Sequence, residues 1–243
     1  MKQGRASVAK RRRRGYIEPM TDEPLPHAQI EPDAPSVSER TYQELRARIM
    51  DGRLAPGTVL SERRLAELIN ISRTPLRAAI GRLEGEGLVE RLANRSVAIR
   101  RFSLEDLFEI LVVRRPLEAE AAAFAAGRLD EGVLDRLEEE AADFARNPGP
   151  DFECFWDHDD RFHAAVAAAC GHPMLATLIN DLRGKARMCH VARMPPTFRA
   201  QGEEHLRVLA SLRGGHADRA RVAMQAHLDA VRRRLAGWLG GAL

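Results

Sequence analysis

Three cysteines in 243 residues, Cys154, Cys170 and Cys189, form no Cys-x-x-Cys pair. Neither a disulfide framework nor a thiolate metal site is indicated, and reduced, buried thiols are the expectation. Long apolar runs are also missing. Nowhere do the roughly 20 consecutive apolar residues of a membrane-spanning helix occur, and the basic start is not followed by the apolar block of a signal peptide. These absences predict a soluble, cytoplasmic chain with no membrane partner. Charge of one sign is lacking too: 38 Lys+Arg face 35 Asp+Glu, a formal charge of only +3.

An apolar fraction of 44% over this length suits one large domain or two of moderate size. The small net charge hides an asymmetry. Residues 1–35 carry 7 basic and 5 acidic groups, residues 36–103 carry 13 and 8, and residues 104–243 carry 18 and 22. A basic amino-terminal part is therefore joined to an acidic carboxy-terminal part, as expected of a polyanion-binding module coupled to something else.

Residues 1–35 combine the Arg11–Arg14 run with five prolines and no apolar periodicity, the signature of a disordered tail. The arginine run either adds non-specific phosphate contacts or is simply solvated, and Met20 offers an alternative translation start. Order is expected from Ser36–Ser38, where Ser38 can cap a helix bearing Tyr42, Leu45, Ile49 and Met50. Two helices follow the Leu54–Gly57 turn, then two alternating stretches around Leu88–Leu92 and Ser96–Arg100. Beyond Ser103, breaks near Gly127, Asn147–Pro150, Gly171–Pro173, Pro195-Pro196 and Gly214-Gly215 leave room for about six helices.

The segment from Leu60 to Leu83 places Leu65, Leu68 and Ile69 on one helical face and Leu76, Ile80 and Leu83 on another, separated by a turn at Asn70–Ser72. This pattern predicts a helix-turn-helix. Ser72 can accept a hydrogen bond from the first backbone N–H groups of the second helix, and Pro75 falls in its opening turn, where the missing N–H costs little. Arg73, Thr74 and Arg77 then project away from the apolar face at the end that enters the major groove in such motifs. The two alternating stretches pair as a hairpin with Val97 and Ile99 inward and Ala93-Asn94-Arg95 at the tip, which makes a winged helix-turn-helix. The expected class is mainly α: a basic tail over 1–35, a winged module over 36–103 and an all-α bundle over 104–243.

Ser61-Glu62-Arg63-x-Leu65-Ala66, then Ser72-Arg73-Thr74-Pro75-x-Arg77, Leu83 and Gly87-Leu88 resemble the amino-terminal pattern of the GntR family of bacterial transcriptional regulators. The resemblance implies operator contacts by Arg63, Arg73, Thr74 and Arg77. The family usually has Gly in the inter-helix turn, where this chain has Asn70, and at the wing tip, where it reads Asn94-Arg95-Ser96. Asn94 and Arg95 are the tip residues placed to meet the minor groove.

In the acidic part, Asp159 and His163 stand at i and i+4 and so share a helix face. His205 lies 9 residues before Gly214 and His227 lies 12 residues after Gly215. In an antiparallel hairpin turning at that Gly pair, the two imidazoles come within about 4–5 Å along the axis. Three imidazoles and a carboxylate suit a divalent ion, zinc first and nickel or manganese next, with a coordination position left open. The quartet resembles the FadR-like branch of the GntR family, whose helical domain carries Asp-x-x-x-His on one helix and single histidines on two later ones. Asp160, three residues before His163, is a second carboxylate in reach of the ion, but the family spacing favours Asp159. His27, His158, His172, His190 and His216 read as surface or turn residues.

Arg114 falls inside the apolar stripe of Leu107, Ile110, Leu111, Leu117 and Ala121, so it needs a partner. Glu118, at i+4, supplies one; alternatively, the Arg114-x-x-x-Glu118 match to the family implies that Arg114 holds a ligand carboxylate. Pro116 is expected to interrupt this helix. Arg183 and Arg187 are further pocket candidates. Together these features predict a non-enzymatic, ligand-responsive regulator, a repressor in sign. It would bind a palindromic double-stranded DNA operator as a homodimer and sense a small carboxylate near a metal. The competing reading is a helical-bundle metalloenzyme using the open coordination position, against which stands the lack of a further general base or nucleophile near the quartet.

Overall fold

The computed structural model describes residues 35–146, 152–189 and 197–241. The Arg11–Arg14 run, Met20, His27, His190 and the breaks at 147–150 and 195–196 lie outside the described residues. The first helix, α1 (Val37–Met50), is capped by Ser36 rather than Ser38: the Ser36 hydroxyl accepts from Glu39 N–H. A short strand β1 (Val59–Ser61) precedes α2 (Glu62–Leu68) and α3 (Arg73–Gly85), and the hairpin β2 (Val89–Arg91) and β3 (Ser96–Ile99) follows. β3 is central, pairing antiparallel with β2 on one side and β1 on the other. Strand β1 has no counterpart in the sequence reading, because a three-residue edge with alternating exposure leaves no periodic signal.

Helix α3 starts at Arg73 as expected, but the Ser72 side chain makes no cap hydrogen bond. Asn70 turns the chain between α2 and α3 at φ 51°, a left-handed conformation Asn tolerates better than most residues. Leu65, Leu76, Ile80, Leu83, Val97 and Ile99 are buried with Tyr42, Leu45 and Ile49 of α1. Leu68 departs from its predicted face and stands 43% exposed, since α2 ends there and only Leu65 is buried on it.

Six helices follow among the described residues: α4 (Leu104–Ala125), α5 (Glu131–Arg146), α6 (Phe152–Ala169), α7 (Pro173–Arg187), α8 (Phe198–Arg213) and α9 (Ala217–Gly241). Ser103 and Asp106 cap α4 reciprocally. Pro116 does not interrupt this helix, which runs through it unbroken with ten buried residues. Burial on this scale offsets the ~3 kcal/mol cost of an interior proline. Helices α8 and α9 form the hairpin at Gly214-Gly215, where Gly215 adopts φ 66°. A Cβ at Gly202 would lie 2.6 Å from the Ala141 carbonyl and 2.9 Å from Ala145 N, so only glycine lets α8 approach α5 this closely. That contact sits one turn before His205. The thiols are unequal: Cys170 and Cys189 are buried, whereas Cys154, expected to be buried, is exposed.

One element reaches into both cores. Helix α7 is followed at its C-cap by Met188, whose side chain is buried with the α1–β3 cluster, and Asp181 of α7 accepts a 2.5 Å bond from Arg46 of α1. Between them, Gly184 gives room to the Met50 side chain.

Candidate metal centre and nucleic-acid interface

Arg63, Arg73, Thr74 and Arg77 are all exposed, on the first turn of α2 and the first two turns of α3. Arg63 pairs with Glu67 at 3.3 Å, a surface contact of small energy. Arg77 is held more firmly, its Nε donating to Glu62 at 2.8 Å while Arg91 of β2 donates to the other Glu62 oxygen at 2.6 Å. The Arg77 bond, with Arg91 adding to it, keeps the Glu62 carboxyl below the usual carboxylate range despite partial desolvation. Glu62 therefore ties the start of α2 to α3 and the wing. At the tip, Asn94 Oδ1 accepts from both Ser96 N–H (3.0 Å) and the Ser96 hydroxyl (2.5 Å), so this side chain shapes the turn. Arg95 projects from it at φ 63°.

The carboxylate and the three imidazoles come together. Asp159 and His163 on α6, His205 on α8 and His227 on α9 are all buried and present ligand-type atoms within 4.8 Å of one another. The His205 and His227 rings, placed at one height by the hairpin, have centroids 4.7 Å apart. Each imidazole is gripped by its Nδ1, with Glu118 at His163, Glu204 at His227 (2.9 Å) and His158 Nε2 at His205 (3.0 Å). This leaves the three Nε2 atoms for the centre. His205 Nε2 is buried without a hydrogen-bond partner, 3.4 Å from Asp159 Oδ1.

Electrostatics suit the same arrangement. Burial first, and Arg183 second, outweigh Glu118 and Asp159 and lower His163 to about 4. Burial also holds His205 well below its ordinary value. Both rings are thus neutral at pH 7, the form that donates a lone pair to an ion. Burial alone would raise the Asp159 carboxyl, but Arg183, followed by His163 and His205, holds it well below the usual range, ionised. An orphaned buried nitrogen, neutral imidazoles and a charged oxygen form a donor set that fits a divalent cation.

A cavity of about 90 Å³ opens beside the quartet, lined by Asp159, His163 and His227 together with Arg114, Arg234 and apolar side chains of α4, α6, α8 and α9. Arg114 does point inward. It is 5% exposed and its Nε donates to Glu118 at 2.5 Å, so the pairing with Glu118 and a place at the cavity wall hold together. Arg183 and Arg187 do not line this cavity; both line a separate, more open hollow together with Arg46, Met50 and Asp160. Arg183 stands behind the quartet, donating to Asp159 Oδ2 at 2.8 Å and to Asp160 at 2.5 Å, and Arg187 also pairs with Asp160. Those bonds hold Asp160 on the arginine side, leaving Asp159 as the quartet's carboxylate.

Several participants escaped the sequence reading. His158, expected at the surface, is fully buried; it falls on the stripe of Phe155, Phe162 and Val166, a signal that could have placed it inside. Glu204 and Arg234 were also missed. Arg234 grips Glu204 at 2.6 and 2.9 Å, and Glu204 in turn holds His227. This chain of contacts crosses from α9 to α8 and back, beyond the reach of single-helix periodicity.

Comparisons with known proteins agree with this architecture. Residues 37–99 match the family described as bacterial regulatory proteins, gntR family, and residues 109–230 match the FCD domain, about half of the chain. The chain is 28% identical over 213 residues to the HTH-type transcriptional regulator LutR of Bacillus subtilis (strain 168), covering 78% of this chain and 97% of that protein. It is 27% identical over 213 residues to the HTH-type transcriptional repressor RspR of Escherichia coli (strain K12), covering 84% and 90%. Among solved structures, E. coli McbR/YncC superposes with a TM-score of 0.68 at 22% identity, covering 83% of this chain and 98% of that one, a likeness of fold. With its winged helix-turn-helix, its helical bundle and these matches, the chain belongs to the GntR family of bacterial DNA-binding transcriptional regulators, in the branch whose second part is an FCD domain.

Proposed function

We propose that this regulator is a homodimeric, cytoplasmic repressor of a palindromic operator, released or retuned by a small carboxylate that binds beside a divalent metal. In this reading residues 36–103 read DNA and residues 104–243 sense the effector and dimerise. Arg63, Arg73, Thr74, Arg77 and Arg95 would contact the operator, with Asn94 shaping the wing tip. Asp159, His163, His205 and His227 would hold the ion, zinc first and nickel or manganese next, and Arg114 would meet the effector. The observation that carries the metal reading is the unpartnered, buried Nε2 of His205 among two further imidazoles whose Nδ1 atoms are likewise engaged.

Charge supports an anionic effector. The buried carboxylates of Glu118, Asp159 and Glu204 are matched by the guanidiniums of Arg114, Arg183 and Arg234. A divalent ion therefore adds uncompensated positive charge at a buried place, a cost that a carboxylate in the adjoining cavity offsets. When bound, the ion would supply an electrophilic position for a ligand oxygen. The route to DNA runs along α7: Arg183 grips Asp159, while Asp181 and Gly184 on the same helix meet α1 and Met188, at its C-cap, is buried in the same core as α1. A shift at Asp159 can thereby alter how the DNA-reading part is held, and half-site spacing is geometrically strict. The repressor sign follows the family and the name of the relative RspR.

Metal analysis of untagged protein should give close to one divalent ion per chain, lost in His205→Ala or His227→Ala. A metal-free parent would refute the centre. Binding to the gene's own promoter region should disappear in Arg73→Ala/Arg77→Ala, because each bidentate base contact is worth ~1–3 kcal/mol; retained affinity would refute the recognition-helix reading. A thermal-shift screen of hydroxy acids, sugar acids and dicarboxylates with metal present identifies the effector.

A further inference from the structure

The three imidazoles are not backed alike. His163 and His227 each meet a buried carboxylate directly, Glu118 and Glu204. His205 instead meets a fourth histidine, His158, at 3.0 Å, and His158 Nδ1 lies 2.9 Å from Glu140 Oε2. Glu140 sits on α5, a helix that supplies none of the quartet, and its side chain is 34% exposed beside Arg161.

We infer that His158 and Glu140 are positioning residues for the metal centre, a two-step relay that fixes the tautomer and orientation of His205 and ties α5 into the site. The inference rests on the metal reading given above. Its direction follows from the far end. The Glu140 oxygen can only accept, so His158 Nδ1 carries the hydrogen and donates. With one proton on the ring, His158 Nε2 is then a bare acceptor, and His205 Nδ1–H must be its donor. His205 is left with a lone pair on Nε2, the atom that lies buried without a hydrogen-bond partner 3.4 Å from Asp159 Oδ1. Reversing either bond would put a hydrogen on that nitrogen and close it to a cation. Packing holds the geometry: the His158 ring lies 5.1 Å from Phe144 of α5, and Phe162 stacks on His205 at 4.0 Å. Outer partners of metal-bound histidines act in this way, orienting the ring and raising its basicity.

The test compares zinc affinity, by competition with a chromophoric chelator, and the visible spectrum of the cobalt-substituted full-length protein across four chains. His158→Phe keeps a ring among the phenylalanines and removes the acceptor. It should weaken zinc binding about 10–100-fold and alter the cobalt bands, a change that a loss of stability alone would not produce. His158→Gln restores an acceptor near the Nε2 position and should recover most of the affinity. Glu140→Ala, altered at a partly exposed residue, should weaken binding by a smaller factor, and it decides the matter if His158→Phe does not fold. Parent-like affinity and spectrum in both His158→Phe and Glu140→Ala would overturn the relay while leaving the metal centre standing. A parent chain that binds no zinc or cobalt would overturn both.

Discussion

Arg95 holds a left-handed backbone conformation at the wing tip, φ 63°, where a side chain costs about 1–2 kcal/mol relative to glycine. An arginine kept at such a place, exposed and flanked by the Asn94–Ser96 hydrogen bonds, is better accounted for by what it touches than by what it stabilises. Arg95→Gly should therefore raise the melting temperature by a few degrees and weaken operator binding, read by calorimetry and fluorescence anisotropy on one preparation. A variant neither more stable nor weaker in binding would remove the wing-tip arginine from the interface. The thiols make a second residue-scale case. Burial pushes the Cys189 thiol up to about 12, with Asp106 adding to it, so its reactive thiolate stays scarce as pH rises from 7 to 9. Cys154 is exposed and Cys189 buried. Alkylation followed by peptide mass spectrometry should mark Cys154 first and leave Cys189 unmodified through pH 9; equal labelling would contradict the fold around α7.

Helix α8 shows how one small residue sets a functional distance. Its Gly202 faces the Ala141 carbonyl and Ala145 N of α5, and one turn later the same helix presents His205 to the quartet and, through His158, to Glu140 of α5. Gly202→Ala must move backbone against backbone, an overpacking of about 1–3 kcal/mol. The same shift should displace His205, so zinc affinity should fall together with the melting temperature. Loss of stability with unchanged affinity would mean that the α5–α8 spacing does not govern the centre. Helix α4 carries the opposite lesson: its proline reads as a break, yet the helix persists because both sides of Pro116 are anchored in the core. Propensity gave way to burial, and Arg114 consequently kept its inward place.

At the scale of the whole molecule, α6 and the α8–α9 hairpin each bring part of one charged, buried cluster. Without an ion, that cluster keeps a desolvated nitrogen unpaired and a carboxylate facing two neutral rings. An ion that binds the folded chain alone stabilises it by about 2.7 kcal/mol at a hundred times its dissociation constant. Chelator treatment should therefore lower the melting temperature by several degrees, zinc should restore it, and His205→Ala should abolish the difference. A melting temperature indifferent to chelator in the parent chain would count against a resident metal. Strong salt dependence of operator binding belongs to the basic part of the chain, where the 13 arginines between residues 36 and 103 face 8 acidic groups.

The sequence by itself determined the local elements whose signals are short-range: the helix-turn-helix with its exposed arginines, the wing hairpin, and the two pairs Asp159 with His163 and His205 with His227, which only the family resemblance joined into one quartet. Periodicity, turn residues and hairpin arithmetic act over a few residues or across one symmetric turn, and there the chain has little freedom. Only the tertiary structure decided which groups stand behind that quartet. Glu118 from α4, Glu204 beside its own histidine but serving another, and His158 with Glu140 across α5 and α6 all depend on how separate helices approach. The same is true of Arg183, which the chain places on Asp159 rather than in the cavity, and of Met188, which α7 inserts into the winged core. Helix-to-helix contacts are fixed by side-chain volume and by glycines such as Gly184 and Gly202 at the points of closest approach, and that information is spread over the whole fold rather than written in any one segment.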